Sequence, residues 1–567
     1  MVQDGNNTTT RLLTLLNVSA LRTSSKGKRK HPYEEDTFQP APKLNKRKSA
    51  PALLSDVSNA ANLDSAKAHS GGEEAGVEAG KSELDDDSQA IVEAYESHFG
   101  PSPALLTQTT RESVDSRKWS TSRESLGKLG SASILHPEGA EAGVASDKNA
   151  KIPILDRLRA PFEAKQAKQS KDVTQVQNDI LSTLANHSDL YYPSTSLGTQ
   201  KYAREAIALH ALDHVTKKRR RVLKNNERLT QASKASLPPP EDVQDQGFTR
   251  PSVLILLPFR SSALAWVNAL TVHTPPPAFQ IENHARFLNE YGLPEGAVDK
   301  LAEAEPGTWP IDHVEMFKGN CDDGFRVGIK MTRKSVKLFS EFYGSDIIVA
   351  SPLGLRMAIE KEKGGDFLSS IEVLVIDQMD ALMMQNWEHT QFVLSHLNKL
   401  PKESHNTDFS RIKPWYLDGH SAYLRQSILL SAFEMPETRA LFNTSLMNVA
   451  GKLRIEKRWS AVPVPEGIDP DISRARQAFF QGKKAFILIS ERFHFYKRYK
   501  IRGIRNILFY GPPEHPQFFT ELLSYPFLDD GVQSDDVTCR MLYSKYDWFK
   551  LERIAGTEEA SGLVKSD

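Results

Sequence analysis

The chain has 567 residues, a formal net charge of zero and a hydrophobic share of 39%. That share lies below the roughly 45–50% of an ordinary globular chain, which predicts several domains alongside an unfolded portion. Two cysteines, Cys321 and Cys539, exclude a disulfide scaffold and a multi-cysteine zinc site, and they fit a reducing compartment.

No apolar run approaches the ~18 residues of a membrane span. LLTLLNV is short and follows Asp4, so a signal peptide is not expected. Residues 1–172 are rich in Ser, Ala, Gly, Lys and Glu with little periodicity, so they are expected to form a disordered, charged arm. Within it, islands such as IVEAYESHFG (Ile91–Gly100) are suited to docking on partners. The basic runs Lys26–His31 and Lys43–Ser49 oppose the acidic run Glu83–Asp87, and such clusters without a membrane segment suggest the nucleus. AGVEAGKS (Ala75–Ser82) mimics a phosphate-binding loop, but HSGGEE precedes it and ELDDD follows. A working loop needs a strand before it and helix amides after it, so we reject this one.

Residues 173–247 read as a helical basic segment and a linker. Ala206, Leu209, Leu212 and Val215 recur at helical spacing before the basic run Lys217–Arg221. That run is either a solvated helix end or an RNA contact. SLPPPEDVQDQG (Ser236–Gly247) reads as linker.

The folded core is expected from Phe248. Apolar runs SVLILL, DIIVAS, IEVLVI, SILLSA, AFILIS and NILFY alternate with helical stretches such as Thr332–Tyr343 and Ala381–Leu400. Such alternation predicts an α/β fold with a parallel sheet, whose ligands gather beyond the carboxyl ends of the strands. The residues there are Pro258-Phe259-Arg260, Ser351-Pro352-Leu353-Gly354, Asp377-Gln378-Met379-Asp380 and Ser431-Ala432-Phe433.

In order and context these resemble the first RecA-like lobe of DEAD-box RNA helicases. LPFRSSA resembles the PTREL-type motif, SPLGL the TPGR-type, IDQMD the DEAD motif and SAF the SAT motif. Longer blocks, among them FTRPSVLILLPFR, GSDIIVASPLGLRMAI, VIDQMDALMMQNWEH and ERFHFYKRYKIRGIRNILFYG, resemble the nucleolar digestive-organ-expansion-factor family. The resemblance runs from about Val173 to the C-terminus with one large break. It implies tandem RecA-like lobes, and a helicase-like subunit of the small-subunit processome acting with the U3 small nucleolar RNA. The expected divisions are a first lobe over 248–454, a shortened connection over 455–472 and a truncated second lobe over 473–567.

Hydrolysis of a nucleotide needs a phosphate cradle, Mg²⁺, an oriented water and positive charge at the transition state. QDQGFTRP stands before SVLILL where a cradle is sought, Gln378 stands where the helicases have glutamate, and LSYPFLDD follows where their arginine motif is expected. A neutral amide orients water but is no carboxylate base. Asp377 and Asp380 are therefore read as vestigial Mg²⁺-strand acids retained for capping a helix from Gln378.

Ser473–Asn506 carries ten Lys or Arg against one acid, Glu491, with aromatics interleaved. Such a segment suits phosphates and unpaired bases; a solvated face over core aromatics, or an acidic partner protein, also fits it. The candidate RNA contacts are Arg260, Ser351 and Gly354 of the first lobe, with Arg474, Arg492, Phe495, Tyr496, Lys497, Arg498, Lys500, Arg502 and Arg505 of the second. No paired-His metal motif or Ser–His–Asp order emerges from the sixteen histidines.

Between NVAGKLR and SRARQAFF only IEKRWSAVPVPEGIDPDI intervenes. A parallel sheet needs at least about a dozen residues per crossover, so the opening strands of a second lobe do not fit. The expectation is a non-catalytic helicase-like scaffold in the nucleolus, binding pre-rRNA, U3 small nucleolar RNA and other processome proteins for 18S rRNA maturation and 40S ribosome biogenesis, with no cofactor, no metal and no membrane. An active ATP-dependent RNA helicase and a pure protein-docking subunit are the alternatives.

Overall fold

Strand pairing in the central sheet follows from short, fully apolar runs that leave no polar side chain to face water. In the computed structural model, β4 (Val253–Leu256), β8 (Ile347–Ala350), β9 (Val373–Ile376) and β10 (Gln426–Leu430) are buried along their whole length. Residues 89–139, 152–272, 280–457, 479–482 and 485–565 are described, apart from positions 194, 295, 306, 333, 334 and 406.

The remaining strands of the sheet are β1 (Trp119–Ser125), β2 (Ser131–Pro137), β3 (Asp189–Tyr192), β5 (Gln280–Glu282), β6 (Arg326–Met331), β7 (Ser335–Leu338) and β11 (Lys452–Glu456). The order is β1-β2-β11-β3-β10-β9-β4-β8-β6-β7-β5. From β11 to β8 all neighbours run parallel, while β1, β2 and β6 pair antiparallel. Alternate side chains point to opposite faces, and this sorts the core into two layers. Val253, Ile255, Val373, Val375 and Ile428 pack under the helices Lys171–Ala185, Leu197–Lys234 and Arg260–Val272. Leu254, Leu256, Leu374, Ile376 and Leu429 pack under Pro352–Glu362 and Trp387–Leu394.

The α/β class and a large, mostly parallel sheet are as expected; several local expectations are corrected. Part of the arm expected to be disordered is folded: β1 and β2 extend the sheet beside β11, and the Gln89–Phe99 helix docks its Tyr95 and Phe99 on its own chain. The β1 side chains are exposed except for half-buried Trp119, so no apolar alternation announced the strand; its backbone ladder holds it. The 173–247 stretch is no separate segment, because β3 lies between β11 and β10 near the middle of the sheet. Lys217–Arg221 falls inside the Leu197–Lys234 helix rather than at its end. Lys217 pairs with Asp213 at 2.6 Å, Lys218 with Glu372 at 3.3 Å and Arg221 with Glu96 at 3.2 Å.

The helix expected over Thr332–Tyr343 contains β7 and a 3₁₀ turn at Phe342–Gly344. Val336 and Leu338 alternate with Ser335 and Lys337, and ladders to β5 and β6 override the helical spacing. The stretch Ala381–Leu400 is broken at Asn386, whose side chain accepts from the Glu388 amide and starts Trp387–Leu394 afresh. AFILIS is no strand; among the described residues the second sheet consists of β12 (Asn506–Phe509) and β13 (Thr538–Met541), paired in parallel. The loop mimic at Ala75–Ser82, the first two basic runs, the acidic run and most of the 455–472 connection lie outside the described residues.

Candidate functional site

Beyond the carboxyl end of β9 the chain turns sharply, with Gln378 in the left-handed region at φ 55°. The helix it opens is Met379–Gln385, and Gln378 makes no side-chain capping bond to it. Asp377 does not cap that helix directly either: its Oδ1 accepts from the Gln378 amide at 2.8 Å, one residue ahead of the first turn. Its Oδ2 accepts from Trp266 Nε1 at 2.9 Å, and Arg204 Nε lies 3.8 Å away. The carboxylate is 1% exposed. Burial pushes its pKa up, against the pull of Arg204. Asp380 points elsewhere, accepting from the Ala432 amide at 3.1 Å and so tying this turn to the end of β10. Ser262 donates to Gln378 Oε1 at 2.5 Å.

A strand–turn–helix unit that the sequence reading did not single out lies earlier in the chain. β3, the turn after it and the Leu197–Lys234 helix stand beside β10, with Thr195 N donating to Ser431 O at 3.0 Å. This turn carries Pro193, Thr195, Ser196 and Gly198 but no Gly-Lys-Ser/Thr run. Arg204, from the same helix, reaches Asp377. Neither Arg204 nor Trp266 was singled out from sequence; both are separated from Asp377 by more than a hundred positions, and no local pattern links them.

The C-terminal helices cover these strand ends. Phe495, on the Glu491–Lys497 helix, packs with Phe259, Ala381 and Phe518. Arg498 bridges Asp312 and Glu521 and lies 4.3 Å over the Phe518 ring. Against burial, which pushes it up, the Arg498 guanidinium holds the Asp312 carboxyl below its usual range. Arg553 lies 4.6 Å over Phe433, donates to the Glu434 carbonyl and pairs with Glu514 at 3.2 Å. Residues following β4, β9 and β10 are thus contacted by the C-terminal part of the chain.

The remaining sequence candidates take distinct places. Ser351 caps Pro352–Glu362, its Oγ accepting from the Gly354 amide at 2.9 Å. A Cβ on Gly354 would meet Phe325 O at 2.2 Å, so this glycine permits a close backbone approach. Arg260 donates to Glu290 O at 2.7 Å and pairs with Asp322 at 3.3 Å. Arg502 and Arg505 share Asp529, at 2.8 and 3.3 Å. Tyr496 and Lys500 are half-buried, Arg492 and Lys497 are exposed, and Arg474 lies outside the described residues. Among the described residues no group of three or more His, Cys, Asp or Glu is arranged to hold a metal, and no helix is long and apolar enough to cross a membrane.

Solved structures match this chain only at low similarity. A DEAD box protein from Methanococcus jannaschii is 12% identical, covers 73% of this chain and 96% of its own, and has a TM-score of 0.28. Among curated relatives, U3 small nucleolar RNA-associated protein 25 of Schizosaccharomyces japonicus is 37% identical over 478 residues, 70% of this chain and 72% of the relative. Those aligned positions outnumber the residues of this chain that they span, so the relative carries positions with no counterpart here. The namesake from Sclerotinia sclerotiorum is 33% identical over 569 residues, 85% of this chain and 77% of the relative. Two family models match, "UTP25, NTP hydrolase-like domain" over residues 187–453 and "Utp25, C-terminal domain" over 466–567. With both parts matched in order and most of the folded chain covered, the chain belongs to the UTP25 family.

Proposed function

We propose that this chain is a catalytically silent, helicase-like scaffold in nucleolar ribosome biogenesis, acting with U3 small nucleolar RNA, pre-rRNA and other processome proteins toward 18S rRNA maturation. The names of its relatives support the association with U3 RNA. The observation that carries the silent reading is the state of Asp377. A Mg²⁺-holding acid must offer its oxygens to an ion and its water. Here both oxygens are engaged by Trp266 and the Gln378 amide, with Arg204 occupying the flank a cation would need. Gln378 supplies no base, and the C-terminal helices pack on residues following β4, β9 and β10.

Single-turnover assays with radiolabelled ATP on the purified chain test this. Turnover at the level of a protein-free control is expected, and Asp377→Asn leaves it there. Turnover above control that Asp377→Asn abolishes would favour the active-helicase reading suggested by the NTP hydrolase-like description of the first domain.

RNA contact, in this proposal, rests on the exposed Arg492 and Lys497 of the basic segment, with half-buried Lys500 and Tyr496 beside them. Charges such as these neutralise phosphates, and each phosphate left without its cation should lower the salt dependence of binding by about one unit. The triple substitution to glutamate should reduce crosslinking to U3 or pre-rRNA in cells. Unchanged crosslinking would remove this face from the RNA interface and leave protein docking as its role.

A further inference from the structure

At the opposite end of the sheet from Asp377, where strands begin and helices end, the surface holds a groove of about 320 Å³. Its floor is apolar: Ile359 from the end of the Pro352–Glu362 helix, Phe392 from Trp387–Leu394, and Leu400, which is 58% exposed. Lys363, Lys399 and Lys402 rim it. Lys402 Nζ donates to the Lys363 carbonyl at 3.0 Å, whereas Lys363 and Lys399 have no side-chain ion pair among the described residues.

Both acids in the lining are already engaged. Glu360 pairs with Arg356 at 2.8 Å. Asp366 accepts from the Lys402 and Glu403 amides at 2.9 and 3.2 Å and pairs with His405 at 3.0 Å. The lining thus carries three lysines against two acids, a net positive charge around an apolar trough.

We propose that this groove docks a protein partner through an extended acidic segment carrying one large aliphatic anchor. Charge complementarity selects the acids, and the Ile359–Phe392–Leu400 floor takes the anchor. Single-stranded RNA would satisfy the lysines but lacks a stacking platform. The one phenyl ring in the lining, Phe392, has the Arg356 guanidinium over it at 4.7 Å and His396 tilted against it at 4.5 Å. Base stacking needs an open aromatic face. An aliphatic side chain needs only the exposed Leu400 and the ring edge.

The groove shares no residue with the Asp377 turn or the basic segment, so this interaction stands whether or not the chain hydrolyses ATP or contacts RNA there.

The test uses the full chain and a short fluorescent peptide of aspartates and glutamates around one leucine, with fluorescence anisotropy as the readout. Binding is expected, weakening at least about tenfold when alanine replaces the leucine, and similarly for the double variant K363E/K399E and for L400D. All three altered positions are exposed, and circular dichroism checks that the variants stay folded. Three results would overturn the proposal: no binding of the peptide, binding insensitive to these substitutions, or a labelled single-stranded oligouridylate that binds more tightly than the peptide and loses affinity in K363E/K399E. The last would reassign the groove to RNA.

Discussion

At the scale of single residues, the most informative group is Asp377, whose buried carboxylate accepts hydrogen bonds from Trp266 and the Gln378 amide. Removing a partner from a buried carboxylate costs about 1–3 kcal/mol or more, so Trp266→Phe should lower the unfolding free energy by that order. Chemical denaturation measures it, and an unchanged midpoint would argue that the Trp266 bond is dispensable. A second residue-scale expectation concerns pH. His98 and His210 are buried, and burial lowers their pKa values to about 4 and about 3. His98 Nε2 bonds the Leu424 carbonyl at 2.8 Å and His210 Nε2 bonds Gln426 Oε1 at 2.7 Å. With folded values depressed below about 6.5, the unfolded chain binds more protons between the two values, so stability is full above pH 6.5 and falls as pH drops toward 4. Asp189 acts oppositely, since burial raises its carboxyl to about 7 and its contribution grows as pH falls from 7 toward 4. Among these three groups the two histidines outweigh the aspartate on acidification. His98→Gln keeps a donor for the Leu424 carbonyl but does not titrate. Urea melts of this variant should show a shallower decline between pH 6.5 and 5, and an identical decline would acquit His98.

At the scale of elements, Pro352–Glu362 shows how a resemblance to a nucleic-acid motif coexists with a local structural demand. Ser351 caps the helix, and Gly354 admits the Phe325 backbone. Gly354→Ala must move that backbone, at a cost of about 1–3 kcal/mol for overpacking; Ser351→Ala should cost about 1 kcal/mol for a lost cap. Thermal melts distinguish the two, with the glycine variant the less stable if close packing outweighs capping. The strands illustrate the opposite limit. Apolar runs such as VLIL and VLVI were legible because both faces are covered, whereas β1 and β7 were not, since ladder partners distant in sequence decide them.

At the scale of the whole molecule, the C-terminal part leans on the first lobe. Phe495, Arg498 and Arg553 all spend their contacts on residues before position 457 or on neighbours that hold them there. The two-stranded β12–β13 sheet is too small for independent stability, and AFILIS leaves Phe486 82% exposed. A 473–567 fragment should therefore lack a cooperative unfolding transition. A sharp, two-state melt of that fragment would contradict this. In the full chain, Arg498→Ala strips the partner from Asp312 and Glu521, and limited proteolysis should then release the C-terminal part faster than in the parent.

Composition and apolar runs determined the α/β class and the strands β4, β8, β9 and β10, because burial on both faces writes itself into contiguous sequence. The position of β3 within the sheet, the folding of β1 and β2, the pairing of Arg204 and Trp266 with Asp377, and the inward turn of Phe495 and Arg498 were decided only in three dimensions. Each depends on a partner far along the chain, and a basic or aromatic side chain has the same local signature whether it faces RNA, water or a carboxylate across the fold.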